Sequence, residues 1–135
     1  AIQLKFPTGG HIASGFGYRR NPFNGRSDFR PGIDIFRPGN YGAPIYAAQN
    51  GVIMMAVPSG NYYGYGLYIE INHGNGFSTT YGHLSAVLVT NGQEVRKGQL
   101  IGRVGSTGAS TGPHLHFELR YQGKHINPAP YFEPL

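Results

Sequence analysis

The stretch LYIEINHGNGFSTTY, residues 67–81, decides the fold. Apolar and polar side chains alternate on both sides of a central HGNG, and β-branched and aromatic residues are well represented. Alternation with a period of two is typical of a half-buried strand. A short link rich in Gly and Asn between two such runs is a strong signal for a β-hairpin. The stretch therefore predicts two antiparallel strands, 67–72 and 77–81.

Similar runs bounded by Gly, Pro or Asn recur along the chain, while helical periodicity is scarcely sustained anywhere. They predict further strands at 45–48, 52–57, 99–104 and 114–121, and a turn, a short exposed strand and another turn within 91–99. Segments 21–29 and 58–66 are predicted to be long loops over a working face. The tyrosines of the second loop either offer stacking surfaces or belong to a solvated hairpin loop. The prediction is a mostly β, antiparallel fold.

Composition bounds the size and class of the protein. A chain of 135 residues is long enough for one hydrophobic core, so a single domain is expected over 1–135. The 22 glycines and 10 prolines are dispersed, which indicates tight turns between short strands rather than low complexity. No apolar run approaches the roughly 20 residues that span a bilayer, and the N-terminus lacks a signal-peptide pattern. We expect a soluble domain without a transmembrane segment, of a kind that can be cut from a longer precursor.

Charge and cysteine content limit the partners and the metal chemistry. Eleven Lys and Arg against six Asp and Glu give a net charge of +5, and the sequence pI is about 9.6, which favours polyanionic surroundings. Nucleic acid and anionic cell-wall polymers suit this charge equally, but the cations are dispersed and no nucleic-acid motif accompanies them. No specific nucleic-acid partner is therefore predicted. Because the chain has no cysteine, any metal must be held by histidine and carboxylate.

The stretch GPHLHFEL, residues 112–119, contains the strongest group of candidate site residues. On an extended strand His114 and His116 share one face, while Leu115 and Phe117 point to the other. Two imidazoles therefore converge on one place. This arrangement is frequent in metal sites, and a pair of half-exposed strand histidines is the alternative interpretation.

Two further candidates lie elsewhere in the chain. Asp34 stands between isoleucines in GIDIF, so by alternation it faces away from the core, either toward a site or as a turn carboxylate. His83 in YGHLS follows a strand and a glycine, where its ring would lie at a sheet end or on the surface. The remaining histidines are interpreted as structural or exposed and are noted as possible sources of a missing ligand: His11, His73 and His125.

Six runs, taken together, resemble the lysostaphin-type or LytM-like zinc endopeptidases of bacterial cell walls. The runs cover about 14–131 in one order: SGFGYRRNP, GIDIF, GAPIYAAQNGVI, YGYGLYIEINHGNGFSTTYGHLS, GQEVRKGQLIGRVGSTGASTGPHLHFEL and INPAPY. The resemblance implies the duplicated-hybrid-motif fold with an antiparallel β groove. It also implies an extracytoplasmic, cell-envelope location and hydrolysis of peptidoglycan stem or cross-bridge peptides.

In that family zinc is held by a His-x-x-x-Asp pair and by the second histidine of H-x-H. Carried over by position, the resemblance implies Asp34 and His116 as metal ligands. It implies His83 and His114 as the catalytic histidines, which flank the metal-bound water and act in proton transfer and transition-state stabilisation. Zinc supplies this chemistry by lowering the pKa of bound water from about 15.7 toward about 7.

Arg30 departs from the family pattern, because it occupies the position of the first zinc-binding histidine in FRPGID. A guanidinium has no lone pair for a metal. If Arg30 points into the site, it can form a bidentate pair with Asp34. At about 4 Å and an effective dielectric near 20, each such charge interaction is roughly 4 kcal/mol. We therefore hypothesise that Arg30 replaces the metal as the partner of Asp34.

Three interpretations of the chain remain open. In the first, it is a zinc-deficient, inactive or strongly impaired module that binds peptidoglycan or a cell-envelope protein. In the second, it is an active zinc endopeptidase whose missing ligand comes from another group, such as His11, or from water. In the third, it is an otherwise active enzyme with an introduced or sporadic arginine. The three retained histidines favour catalysis, although they can also hold a groove together by hydrogen bonding. The first interpretation is preferred because a two-ligand site beside a fixed cation binds zinc poorly.

Overall fold

The computed structural model describes residues 2–134. Within this range the chain forms short strands and one 3-10 helix. Their bounds are β1 His11–Ser14, β2 Gly17–Arg20, β3 Ser27–Arg30, β4 Ile33–Phe36, β5 Pro44–Tyr46, β6 Gly51–Val57, β7 Leu67–Gly74, β8 Phe77–Val87, β9 Glu94–Val95, β10 Leu100–Val104, β11 Leu115–Tyr121, β12 Lys124–Ile126 and the 3-10 helix Ala129–Tyr131.

Ten of these strands form one sheet, whose main path runs β1-β4-β11-β8-β7-β6-β9. Strand β10 pairs with β5 and β8, and β12 pairs with β11. Strands β2 and β3 form a separate hairpin. The pairings between these strands are antiparallel, so the predicted mostly β, antiparallel fold is confirmed.

The predicted hairpin at 67–81 is confirmed, with strands longer than expected. Strands β7 and β8 pair through residues such as Glu70 and Thr80. Asn75 and Gly76 connect them with φ values of 53° and 85°. Two consecutive left-handed residues match the type I′ turn that Asn-Gly favours, because its twist agrees with that of the strands.

The core lies along one face of the large sheet, where alternate side chains are withdrawn from solvent. In β11, Leu115, Phe117 and Leu119 are fully buried, while His116 lies on the opposite face with 13% of its side chain exposed. The same core takes aliphatic side chains from the neighbouring strands, including Ile33, Ile35, Ile69, Ile71 and Leu84. The face that carries His116 is therefore left free to line a groove.

A chain of hydrogen bonds links strands β7 and β8 to the segment 48–50. The Ala48 N–H donates to the Tyr81 hydroxyl at 3.0 Å, which lies 2.8 Å from the Thr79 hydroxyl. His73 Nδ1 lies 2.7 Å from the carbonyl oxygen of Asn50, and His73 Nε2 lies 2.7 Å from Thr79 Oγ1. Because a carbonyl only accepts, His73 Nδ1 donates and Nε2 accepts. Burial lowers the pKa of His73 despite the bond to Asn50, so the ring is neutral at pH 7 and both of its nitrogens make hydrogen bonds within the fold.

Segment 21–29 was predicted as a loop, and that prediction is wrong at its end. Residues from Ser27 onward form β3, which pairs with β2. Tyr18 of β2 lies opposite Phe29 of β3, with ring centroids 5.1 Å apart. This cross-strand aromatic contact stabilises the β2–β3 hairpin. The loop prediction for 58–66 agrees with the structure, since no strand is assigned between Val57 and Leu67. Within residues 2–134 no helix is long and apolar enough to cross a membrane.

Candidate functional site

The sheet brings the four predicted site residues together. Asp34 in β4 lies directly opposite His116 in β11, although 82 positions separate them. On the other side of β11, His116 pairs with the residue that precedes His83. His114 stands just before β11, and the centroid of the His83 ring lies 5.0 Å from that of His114 and 5.9 Å from that of His116. One carboxylate and three imidazoles therefore share one place.

His116 lies between two carboxylates. Its Nδ1 is 3.0 Å from Asp34 Oδ1, and its Nε2 is 2.8 Å from Glu118 Oε2. Ionised carboxylates only accept hydrogen bonds, so both ring nitrogens donate. Burial alone would lower the pKa of His116, but the bonds to both carboxylates and their charges raise it to about 9. A metal held by His116 would therefore have to displace one of these two protons.

Arg30 points into the site and contacts the same carboxylate. Its Nη2 donates to Asp34 Oδ2 at 2.6 Å, in a single contact rather than the predicted bidentate pair. Burial raises the pKa of Asp34, but the hydrogen bond from His116 and the charges of His114, His116 and Arg30 outweigh it and lower the pKa. Asp34 is thus an ionised carboxylate with one oxygen bonded to Arg30 and the other to His116.

These residues do not fit a zinc ion in this arrangement. A zinc site needs at least three protein ligands that present lone pairs. Among the residues that the structure describes, no group of three His, Asp or Glu side chains is arranged to hold a metal. His11, the candidate substitute ligand, packs edge-on against Phe36 with ring centroids 6.3 Å apart. The position that the resemblance assigns to the first ligand instead holds the N–H donors of Arg30.

His83 and His114 keep one nitrogen each toward the groove. His83 Nδ1 lies 2.7 Å from the carbonyl oxygen of Thr107, and His114 Nδ1 lies 2.8 Å from that of Gly112. Both Nδ1 atoms therefore donate. Burial lowers the pKa of His83 and outweighs the bond to Thr107, so its Nε2 carries a lone pair at neutral pH. His114 Nε2 lies 3.6 Å from Asp34 Oδ1.

The backbone of His83 is left-handed, with φ at 64°. This conformation is uncommon for a residue with a side chain and costs on the order of 1–3 kcal/mol. Its N–H donates to the carbonyl oxygen of Tyr65 at 2.6 Å, and its ring is fixed by Thr107. The surrounding contacts therefore hold the ring in the groove at some cost in backbone energy.

Glu118 is a site residue that sequence reasoning missed. It is 1% exposed and accepts hydrogen bonds from the Tyr65 hydroxyl at 2.7 and 2.8 Å, and from His116, His125 and Arg120 at 2.8, 2.9 and 3.1 Å. Burial raises the pKa of Glu118, but these bonds, led by that of His116, lower it overall. The available signal was its place two residues after His116 in β11, which puts both side chains on one face of the strand.

The site lies in a groove made of three adjoining cavities of about 310, 470 and 290 Å³. The central one, of about 470 Å³, is lined by Phe29, Arg30, Asp34, His83, His114, His116 and neighbouring loop residues. A larger cavity of about 750 Å³ beside His73 shares no lining residue with the groove. The chemistry-bearing side chains therefore coincide with the groove rather than with that larger cavity.

Comparison with known proteins relates this chain to a family of peptidases. Residues 28–128 match the sequence pattern of Peptidase family M23. The chain is 46% identical over 117 residues to the DD-carboxypeptidase/endopeptidase Mpg of Neisseria meningitidis serogroup B, covering 87% of this chain and 26% of that protein. It is 43% identical over 117 residues to the peptidoglycan DD-endopeptidase ShyA of Vibrio cholerae, covering 86% and 26%.

A solved structure agrees with these sequence matches. The zinc-containing peptidase from Vibrio cholerae superposes with a TM-score of 0.82 at 34% identity, over 94% of this chain and 39% of that one. In the two sequence matches, this chain spans about a quarter of the relative's length, 26% in each case.

Proposed function

This chain belongs to Peptidase family M23, and from that premise we propose that it binds the peptides of bacterial peptidoglycan in its groove without hydrolysing them. The observation that carries the proposal is the 2.6 Å contact between Arg30 Nη2 and Asp34 Oδ2. The cation of Arg30 takes one oxygen of the carboxylate on which a metal would depend, and it adds a fixed positive charge beside it. Both effects oppose the binding of a dication.

Binding a peptide, unlike hydrolysing it, does not require a metal beside Asp34. The groove runs over three adjoining cavities and offers an aromatic wall at Phe29, which is 44% exposed. Tyr62 and Tyr63 stand almost fully exposed on the 58–66 loop, where rings can stack on a sugar or a side chain. A net charge of +5 suits the anionic polymers of a cell wall. Relatives that act on peptidoglycan support the same ligand class and a cell-envelope location.

The alternative is an active zinc endopeptidase with a rearranged ligand set. It is favoured by the convergence of three imidazole rings and by the neutral His83, whose Nε2 can accept a proton. It would require Arg30 to leave Asp34 and His116 to lose a proton. A protein of the cell envelope, rather than peptidoglycan, is a second occupant that the same groove could accept.

The proposal is tested by incubating the purified chain with insoluble peptidoglycan, with and without added zinc. Sedimentation measures binding, and new amino groups in the supernatant measure hydrolysis. We expect the chain to sediment with the wall material and to release no amino groups. Release that depends on zinc would contradict the proposal, and failure to sediment would show that peptidoglycan is not the ligand.

A further inference from the structure

Arg30 keeps most of its hydrogen-bonding capacity unused. A guanidinium presents several N–H donors in a rigid planar fork. Only Nη2 is engaged, by Asp34 Oδ2, among the residues that the structure describes. The side chain is 30% exposed and lines the central cavity of the groove. Its remaining donors are therefore within reach of a molecule that occupies that cavity.

The groove presents little negative charge to repel an anion. Among the described residues that line the central cavity, Asp34 is the only acid, and its oxygens are bonded to Arg30 and His116. Glu118 lies deeper, at 1% exposure, and is paired with Arg120. An incoming carboxylate would thus meet the outer face of a guanidinium whose charge is only partly balanced.

The walls of the cavity suit the rest of a peptide. Phe29 supplies an apolar surface on one side, and Ser110 and Thr111 line another side with hydroxyl groups. A volume of about 470 Å³ is within the range of clefts that hold small ligands. Because the cavity shares lining residues with two neighbouring cavities, there is room for a longer chain to continue past Arg30.

We propose that Arg30 is a ligand-binding residue that recognises a carboxylate of the bound peptide. The inference rests on the proposed peptide-binding function and names the chemical group that is read. Guanidinium and carboxylate match each other in a charge-assisted, forked geometry that neutral groups cannot reproduce. The carboxylate belongs either to the end of a peptide chain or to an acidic side chain within it.

Two pairs of short peptides distinguish these sources in titrations of the isotopically labelled protein followed by NMR. The first pair is acetyl-Lys-D-Ala-D-Ala with a free carboxyl terminus and the same peptide as its amide. The second pair is acetyl-Ala-Glu-Ala amide and acetyl-Ala-Gln-Ala amide. We expect one acidic peptide to bind at least about tenfold more tightly than its neutral partner, with shifts confined to the groove.

Variants connect that preference to Arg30. Arg30→Gln should abolish it, and Arg30→Lys, which keeps the charge without the fork, should retain part of it. Arg26→Gln is the matched control, because Arg26 is exposed on the same hairpin and does not line the cavity. No preference within either pair, a preference that survives Arg30→Gln, or an equal loss in Arg26→Gln would overturn the inference.

The two proposals fail in different ways. If the chain sediments with peptidoglycan uncleaved but shows no preference for a carboxylate, only the role of Arg30 as a reader is wrong. If the chain cleaves peptidoglycan in the presence of zinc, the binding function itself is wrong. Retained circular dichroism of the Arg30 variants shows that any loss of binding is not a loss of fold.

Discussion

Glu118→Gln should destabilise the protein by about 3 kcal/mol, because it removes the carboxylate that holds several partners together. Breaking a buried ion pair by removing one member typically costs about 3–5 kcal/mol. Glu118 is 1% exposed, and one of its partners, His116, is also largely buried at 13% exposure. Arg120 and His125 are 21% and 29% exposed, so water compensates them in part. We therefore expect the lower end of that range.

The geometry of glutamine adds to the loss. Its amide keeps one accepting oxygen but places an NH₂ group where the second carboxylate oxygen accepted hydrogen bonds from Tyr65 and His116. Donor then faces donor, and the cation of His116 loses its partner on that side. Equilibrium unfolding in urea at pH 7 measures the change in the free energy of unfolding.

Glu70→Gln is the matched control for this experiment. Glu70 Oε2 lies 3.9 Å from Arg120 Nη1, and its side chain is 20% exposed. A partly exposed pair at that distance should contribute less than about 1 kcal/mol. If Glu118→Gln changes the free energy of unfolding by no more than Glu70→Gln does, Glu118 does not organise the site and the reasoning is refuted.

Three other changes test the scaffold. Gly32→Ala should destabilise the domain and separate β4 from β11, because a Cβ there collides with the carbonyl oxygen of Phe117. Gly15→Ala is the control, because a Cβ at that position meets open space. Thermal unfolding should show a lower midpoint for Gly32→Ala and no shift for Gly15→Ala. Tyr81→Phe should cost about 1–3 kcal/mol in urea unfolding because it leaves the buried Ala48 N–H without an acceptor, and a neutral result would contradict that bond. Because the pKa of His73 is lowered in the folded protein, the unfolded chain binds more protons as the pH falls. The contribution of His73 to the free energy of unfolding is therefore present above pH 6.5 and is lost at lower pH. Between pH 7.5 and 5, His73→Gln should lose less free energy of unfolding than the unmodified chain, and equal losses would contradict this.

Local sequence signals predicted the strands in which apolar and polar residues alternate most clearly. The β7–β8 hairpin needs only its own alternation and an Asn75-Gly76 turn, so it was predictable. Strands β1, β2 and β4 were not predicted, because each has only four residues. Residues 33–35, for example, pair with β11 at 80 or more positions along the chain. Short runs carry too little periodicity to reveal such pairing.

The candidate site was predictable in its members but not in its bonding. Resemblance to the family named Asp34, His83, His114 and His116, and the structure brings all four together. The roles of these residues as ligands or catalytic groups stay predictions. The position of Arg30 beside Asp34 was anticipated from charge, but a single contact replaces the expected bidentate pair.

The Glu118 network could not be predicted because its members come from separate elements. Tyr65 lies before β7, Glu118 and Arg120 in β11, and His125 in β12. Only the folded sheet brings their polar atoms within hydrogen-bond distance, at 2.7 to 3.2 Å between donor and acceptor. The sequence shows that Glu118 shares a strand face with His116, but it does not show that the carboxylate is buried beneath that ring.

Zinc binding by the unmodified chain and by Arg30→His tests the central claim most directly. Equilibrium dialysis against zinc, followed by elemental analysis, measures the metal held per chain. Arg26→His is the control, since it adds a histidine on the same hairpin but outside the groove. We predict stoichiometric zinc in Arg30→His and well below that in the unmodified chain and the control. Stoichiometric zinc in the unmodified chain, with no gain in Arg30→His, would contradict the account.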